Sequence, residues 1–155
     1  MNMNVSRRHV LRGLSLLIGV AALPRQLFAR ATGAFQAKEV DQVMQQLFGD
    51  LPVTLSDQVI LKIPSIAENG AVVPVTVSSD VAGVEAIYIV IDANPNPLSA
   101  TFELGATSPA DVSTRVKMGQ SSMVRGLVKT SDGVLMAQQE VKVTIGGCGG
   151  YGEYH

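Results

Sequence analysis

Along the chain, hydrophobic positions fall first at helical spacing and then at strand spacing. In residues 37–48 (AKEVDQVMQQLF), Val40, Val43, Met44, Leu47 and Phe48 recur at i, i+3, i+4, i+7 and i+8. That is one apolar helical stripe, and Gly49 follows it as a stop signal. Such a Met-Leu-Phe stripe reads as core or lid, not as a cofactor site. Beyond it the period becomes two. Strands are predicted over residues 57–63, 71–78, 84–92, 99–104, 112–118, 122–130 and 134–145. Pro74 marks the second of these as an edge or bulged strand, because proline cannot donate to a ladder. Asn94-Pro95-Asn96-Pro97 breaks the chain after the third. Val112, Thr114, Val116 and Met118 share one face of the fifth. Ser131-Asp132-Gly133 is a compact hairpin connection, with Gly133 available for positive φ. In the last strand Val141, Val143 and Ile145 point inward, while Lys142 and Thr144 point out.

Seven strands at this spacing, without βαβ alternation, predict an all-β fold with one short N-terminal helix. An immunoglobulin-like antiparallel β-sandwich is the best architecture, and a small barrel is the alternative. The Cys…Trp…Cys core of antibody domains is missing, since the chain has one cysteine and no tryptophan.

Ahead of the helix the pattern is different again. Residues 1–12 are basic, residues 13–24 are an apolar run, and Ala29-Arg30-Ala31 offers small residues for cleavage. Together these read as an export signal over residues 1–31. The run is too short to span a bilayer core, which takes about 20 residues. Ser6-Arg7-Arg8-His9-Val10-Leu11-Arg12 resembles the twin-arginine signal, with Arg7 and Arg8 as its pair. That route carries folded cargo to the periplasm. It serves proteins that fold around a cofactor or leave with a partner lacking its own signal. No cofactor site is legible in the sequence, so a partner is the expected reason.

Charge divides the same way. Residues 1–31 hold five arginines and no acid, which leaves seven basic and thirteen acidic residues and a net charge of −6 in the other 124. An acidic body argues against a partner held through phosphates. The 46% hydrophobic, 16% charged composition is that of a folded domain. We therefore expect a sandwich domain over residues 32–145 and a glycine-rich segment over residues 146–155.

That last segment holds the candidate chemistry. Cys148, the only cysteine, sits in Gly146-Gly147-Cys148-Gly149-Gly150. It cannot form an internal disulfide. Four glycines give it minimal width and access to φ of both signs. From Ile145 to Cys148 the chain reaches on the order of 10 Å when extended. Such an arm is narrow enough to pass a sulfur into another protein's active site. No Lys, Arg or helix N-terminus adjoins the sulfur in sequence, so it reads as a thiol that other proteins modify. Two other readings stay open on the residues alone: an incidental cysteine on a frayed terminus, and an intermolecular disulfide in a structural or assembly subunit.

Enzymatic readings lack parts. Beyond residue 31 the only histidine is His155, so no fixed base accompanies a nucleophile. This counts against a thiol transferase and against a hydrolase triad. Cys148, Glu153 and His155 are too few for a structural zinc site. There is no Walker A motif and no dinucleotide fingerprint. We expect no catalytic residue, no metal and no cofactor.

The chain resembles the SoxY family, the sulfur-carrier subunit of the thiosulfate-oxidising Sox system. The resemblance rests on the twin-arginine signal, the short helix and sandwich, and the run Val143-Thr144-Ile145-Gly146-Gly147-Cys148-Gly149-Gly150. The stretch Tyr88–Leu104, with its Asn-Pro-Asn-Pro and Ala100-Thr101-Phe102-Glu103-Leu104, is also similar. The resemblance implies covalent attachment of thiosulfate-derived sulfur at Cys148, with Gly146, Gly147, Gly149 and Gly150 as a swinging arm. It implies a heterodimer with a SoxZ-type subunit. It also implies transient visits to a SoxAX-type cytochrome, a SoxB-type sulfate hydrolase and a SoxCD-type molybdenum dehydrogenase. The carrier itself would turn nothing over. One departure stands out: family members typically end at the glycines, whereas this chain continues with Tyr151-Gly152-Glu153-Tyr154-His155. That puts two aromatic rings ahead of the sulfur. Partner enzymes that accept a longer tail, trimming, a specialised paralogue, or a tail folded over Cys148 would each accommodate it.

Overall fold

The structure is a computed structural model and describes residues 33–144. Among the described residues, the helix α1 (Val40–Phe48) precedes nine strands. These are β1 (Val53–Leu55), β2 (Val59–Lys62), β3 (Ile66–Ala67), β4 (Val73–Ser79), β5 (Ala86–Ile91), β6 (Leu98–Glu103), β7 (Ala110–Val116), β8 (Ser122–Lys129) and β9 (Val134–Val143). All seven expected strands are present, with bounds that differ from expectation by no more than two residues at either end. The helix starts three residues later than its periodicity suggested, because Glu39 is extended. It stops at Gly49, whose φ of 59° is favourable for glycine and whose N–H donates to the Gln45 carbonyl.

The strands form two sheets, one in the order β1-β9-β8-β5-β6 with β3 also on β9, the other β2-β4-β7. Their facing sides bury a shared core that includes Val75, Val77, Ile87, Ile89, Val124 and Val128. This is the immunoglobulin-like sandwich the sequence predicted. A second apolar cluster lies on the outer face of the larger sheet. There Val43 and Phe48 of α1 cover Tyr88, Val90, Leu127 and Met136. The Phe48 and Tyr88 rings meet edge to face, 5.2 Å apart at 87°. Such pairs add about 0.5–1.5 kcal/mol beyond the area they bury. Strand β5 is thus covered on both sides, and all six of its residues are buried. Its unbroken apolar run follows from that double burial.

Three expectations change. Strands β1 and β3 were not foreseen, and both pair with β9 in parallel, so the sandwich is not wholly antiparallel. Strand β4, expected as an edge or bulged strand because of Pro74, is the middle strand of its sheet. Pairing with β2 ends at Thr76, however, so at Pro74 only β7 lies alongside, and the missing N–H is tolerated. Gly133 does not use positive φ. It is needed for closeness: a Cβ there would come 3.2 Å from the ring and carbonyl of Pro52. Beside it the Val134 N–H donates to the Pro52 carbonyl, the first rung between β1 and β9.

Candidate functional site

Cys148 and the glycines Gly146, Gly147, Gly149 and Gly150 lie outside the described residues, as do Arg7 and Arg8. What the fold does describe is the root from which that segment starts. Strand β9 is ten residues long and is paired with β8 from Ser122↔Val141 to Lys129↔Val134. Its far end runs past β8, and other groups take over the backbone there. The Lys142 N–H donates to the Ser65 carbonyl at 2.9 Å, and the Thr144 N–H to the Ala67 carbonyl at 3.1 Å. On the other side the Val143 N–H donates to the Ser121 hydroxyl at 2.9 Å. Two-residue β3 thus exists as a clamp on the last turn of ladder before the arm.

Gly70 completes the root. Its carbonyl accepts the Met118 N–H at 2.7 Å. A Cβ on Gly70 would collide with the Met118 carbonyl and come 2.9 Å from Val143 Cγ1. Only glycine lets these three segments touch.

The rest of this end of the sandwich is stitched by asparagines. Asn94 Nδ2 donates to the Lys117 carbonyl, and Asn94 Oδ1 accepts the Gly119 N–H. Asn96 Nδ2 donates to the Phe35 carbonyl, and Asn96 Oδ1 accepts from Lys38 Nζ at 3.0 Å. The Asn-Pro-Asn-Pro motif was legible only as a chain breaker. It is the hub that joins the loop before β8 and the segment before α1 to this end.

Near the Asn94–Asn96 loop, Arg115 and Lys117 line one cleft and Lys38 bonds to Asn96 beside it. At the opposite end, Asp80, Glu85, Glu103 and Asp111 line an open cleft of about 1050 Å³. Neither Arg115 nor Lys117 is ion-paired among the described residues, where the pairs are Arg125–Asp92 and Lys129–Glu85. The Arg125 pKa is raised by its hydrogen bonds to Asp92, against the opposing effect of burial. That pair braces the sheet under α1. Among the described residues, no three His, Cys, Asp or Glu side chains converge on a point that could hold a metal ion, and no helix is long and apolar enough to cross a membrane.

A two-sheet sandwich whose last strand leads into a glycine-bracketed cysteine in the sequence is the class of protein these features define. A sequence model of the family described as "Sulfur oxidation protein SoxY" matches residues 44–148. The chain therefore belongs to the SoxY family of sulfur oxidation proteins. Among solved structures it is similar to the sulfur carrier protein SoxY from Chlorobium limicola f thiosulfatophilum, at 36% identity and a TM-score of 0.64, covering 69% of this chain and 97% of that one. It is also similar to a superoxide reductase (neelaredoxin) from Ignicoccus hospitalis, at 15% identity and a TM-score of 0.51, covering 56% and 80%. The second likeness is one of fold alone. No curated protein sequence matches the chain. The family is one of carriers, not catalysts, in line with the shortage of catalytic parts in the sequence.

Proposed function

We propose that this chain is a periplasmic covalent sulfur carrier in thiosulfate oxidation, with Cys148 as the attachment site. One observation carries the reading. The match to the sulfur oxidation family runs to residue 148 and takes in Gly146, Gly147 and the only cysteine. The fold supports it, because β9 hands the chain to that segment from a fixed root.

The chemistry balances as follows. The Cys148 thiol and thiosulfate join to form a Cys–S–S–SO3⁻ adduct, releasing one proton and two electrons, which pass to a SoxAX-type cytochrome. Water then hydrolyses the terminal sulfonate at a SoxB-type enzyme. Sulfate and one proton leave, and a persulfide stays on the cysteine. A SoxCD-type dehydrogenase takes six electrons from that sulfane sulfur, three waters supply its oxygens and seven protons leave, and a second hydrolysis by the SoxB-type enzyme releases sulfate and one proton and restores the thiol. The carrier supplies the thiol and the reach, and the partners supply the catalysis. The glycines either side of Cys148 keep the arm narrow enough for several active sites. Residues 1–31, with Arg7 and Arg8, act as the twin-arginine signal, and a SoxZ-type subunit leaves the cytoplasm with the folded chain as a heterodimer.

Intact-mass spectrometry of the protein from thiosulfate-oxidising cells tests this. The carrier carries reductant-labile adducts of sulfane sulfur or thiosulfonate on Cys148, and Cys148→Ser abolishes thiosulfate oxidation in a reconstituted system. A protein found only as free thiol or as a disulfide-linked dimer, with Cys148→Ser still active, is instead a structural subunit.

A further inference from the structure

The unpaired cations near the Asn94–Asn96 loop surround a specific cleft. It has a volume of about 340 Å³ and lies between the edge strands β6 and β7. Asn94, Asn96, Ser99, Thr114, Arg115 and Lys117 line it, and no Asp or Glu does. Lys38 joins the rim through its hydrogen bond to Asn96. Three of the seven basic residues in the acidic body therefore meet here, brought from positions nearly eighty residues apart. The cations do not neutralise carboxylates among the described residues. Each carboxamide donates one N–H to a backbone carbonyl, and its oxygen accepts from the Gly119 N–H (Asn94) or from Lys38 Nζ (Asn96), so each nitrogen keeps a second N–H to donate. Fixed amide donors plus an Arg and a Lys are the equipment for a small oxyanion.

The arm can reach it. Met118, next to Lys117, is bonded to Gly70, which packs on Val143 at the arm root. Across the larger sheet, β9 and β6 are three strand spacings apart, about 14 Å at ~4.8 Å each. Thr144 to Cys148 is four residues, which span up to about 14 Å when extended. A thiosulfonate on the sulfur lengthens the reach further.

We propose that this cleft is a binding site for a tetrahedral sulfur oxyanion, and that its occupant is the sulfonate end of the adduct on Cys148, parked between visits to partner enzymes. The proposal rests on the carrier reading for its occupant, but the anion site stands apart from it. Parking at a cationic cleft shields the labile S–S bond from attack by other anionic thiolates, and it gives the arm a defined resting place. A neutral or persulfide cargo has no charged sulfonate to hold, so the arm is released once sulfate has left.

Isotope-edited NMR of the full mature chain tests both halves. Thiosulfate and sulfate, titrated at constant ionic strength with chloride as control, shift the signals of Asn94, Thr114, Arg115 and Lys117 saturably. Arg115→Gln with Lys117→Gln weakens that binding about tenfold or more, while Lys62→Gln, an exposed cation on β2, leaves it unchanged. Shifts that never saturate, or that survive the double substitution, mean that there is no site. For the occupant, Cys148 is loaded chemically with tetrathionate: the thiolate displaces thiosulfate and keeps –S–SO3⁻. Loading moves the same signals and lowers the affinity for free thiosulfate at least tenfold. An unchanged affinity after loading overturns the parked adduct and leaves a site for free anions only. Because loading needs no Sox enzyme, this outcome is separate from any failure of the carrier reading.

Discussion

The Thr144 amide donates to the carbonyl of Ala67 at 3.1 Å, so the residue after β9 is held by a strand only two residues long. With the Val143–Ser121 contact on the other side, both sides of the ladder are closed up to residue 144. The backbone is therefore held through Thr144, the last described residue. Ser121→Ala removes the acceptor of the Val143 N–H on an exposed loop. Hydrogen exchange at Val143 accelerates about tenfold, while global stability falls by about 1 kcal/mol or less, as for one exposed hydrogen bond. An unchanged exchange rate would mean that the root is held without Ser121.

Gly70 carries the other half of the root. Gly70→Ala forces its new methyl into the Met118 carbonyl and against Val143, so the segments must separate. The cost is about 1–3 kcal/mol, typical of overpacking. Thermal unfolding should show a melting temperature lower by several degrees. Cys148→Ser in the same assay leaves the melting temperature unchanged, because the arm starts after the clamped residues.

Much of this fold was legible because burial repeats at the strand period. All seven expected strands are present, although the run that forms β5 does not alternate but is continuously apolar. Strands β1 and β3 escaped because two or three residues carry no period, and Val53, Leu55 and Ile66 are exposed. They are strands only because β9 offers a template. Pro74 and Gly133 misled for a related reason: each residue's local preference was read correctly, but a neighbour distant in sequence decided how it was used. Lys38, Arg115 and Lys117 gave no signal, since spacing along the chain says nothing about which cations meet in space. Cys148 is the converse. Its glycine bracket was legible from the sequence and from nothing else.

Gly126 on β8 packs directly against Val77 of β4 across the two sheets. A Cβ there would lie 2.9 Å from Val77 Cγ2 and 3.5 Å from Leu61 Cδ1. Gly126→Ala therefore pushes β4 away from β8 and lowers stability by about 1–3 kcal/mol. The double variant with Val77→Ala recovers part of that loss, since the smaller neighbour makes room. Urea unfolding midpoints of the two singles and the double give the coupling; strictly additive losses would mean that Gly126 and Val77 do not compete for the same space.

Asp92 and Arg125 form a two-pronged pair, Nε to Oδ1 at 2.8 Å and Nη2 to Oδ2 at 2.7 Å. The side chains are 26% and 24% exposed, so solvent screens part of the attraction. Asp92→Asn keeps the shape and removes the charge. Stability falls by about 1 kcal/mol, and the loss shrinks in molar salt. A loss that does not respond to salt would assign the contact to packing, not charge.

Tyr88 makes the fold sensitive to alkali. Burial raises its pKa from 10.0 to about 12, with Glu103 and then Glu85 adding to the rise. The folded state thus holds the phenol proton more tightly than the unfolded chain does. The sign follows: stability is unaffected by this group below pH 10, then declines as pH rises from about 10 to about 12. Tyr88→Phe keeps the ring against Phe48 and removes the ionisable group. Its stability relative to the parent should therefore rise across that window, measured as denaturant midpoints at pH 9, 10.5 and 11.5. Parallel pH profiles for the two proteins would show that Tyr88 titrates alike in the folded and unfolded chains, and that the alkaline loss has another source.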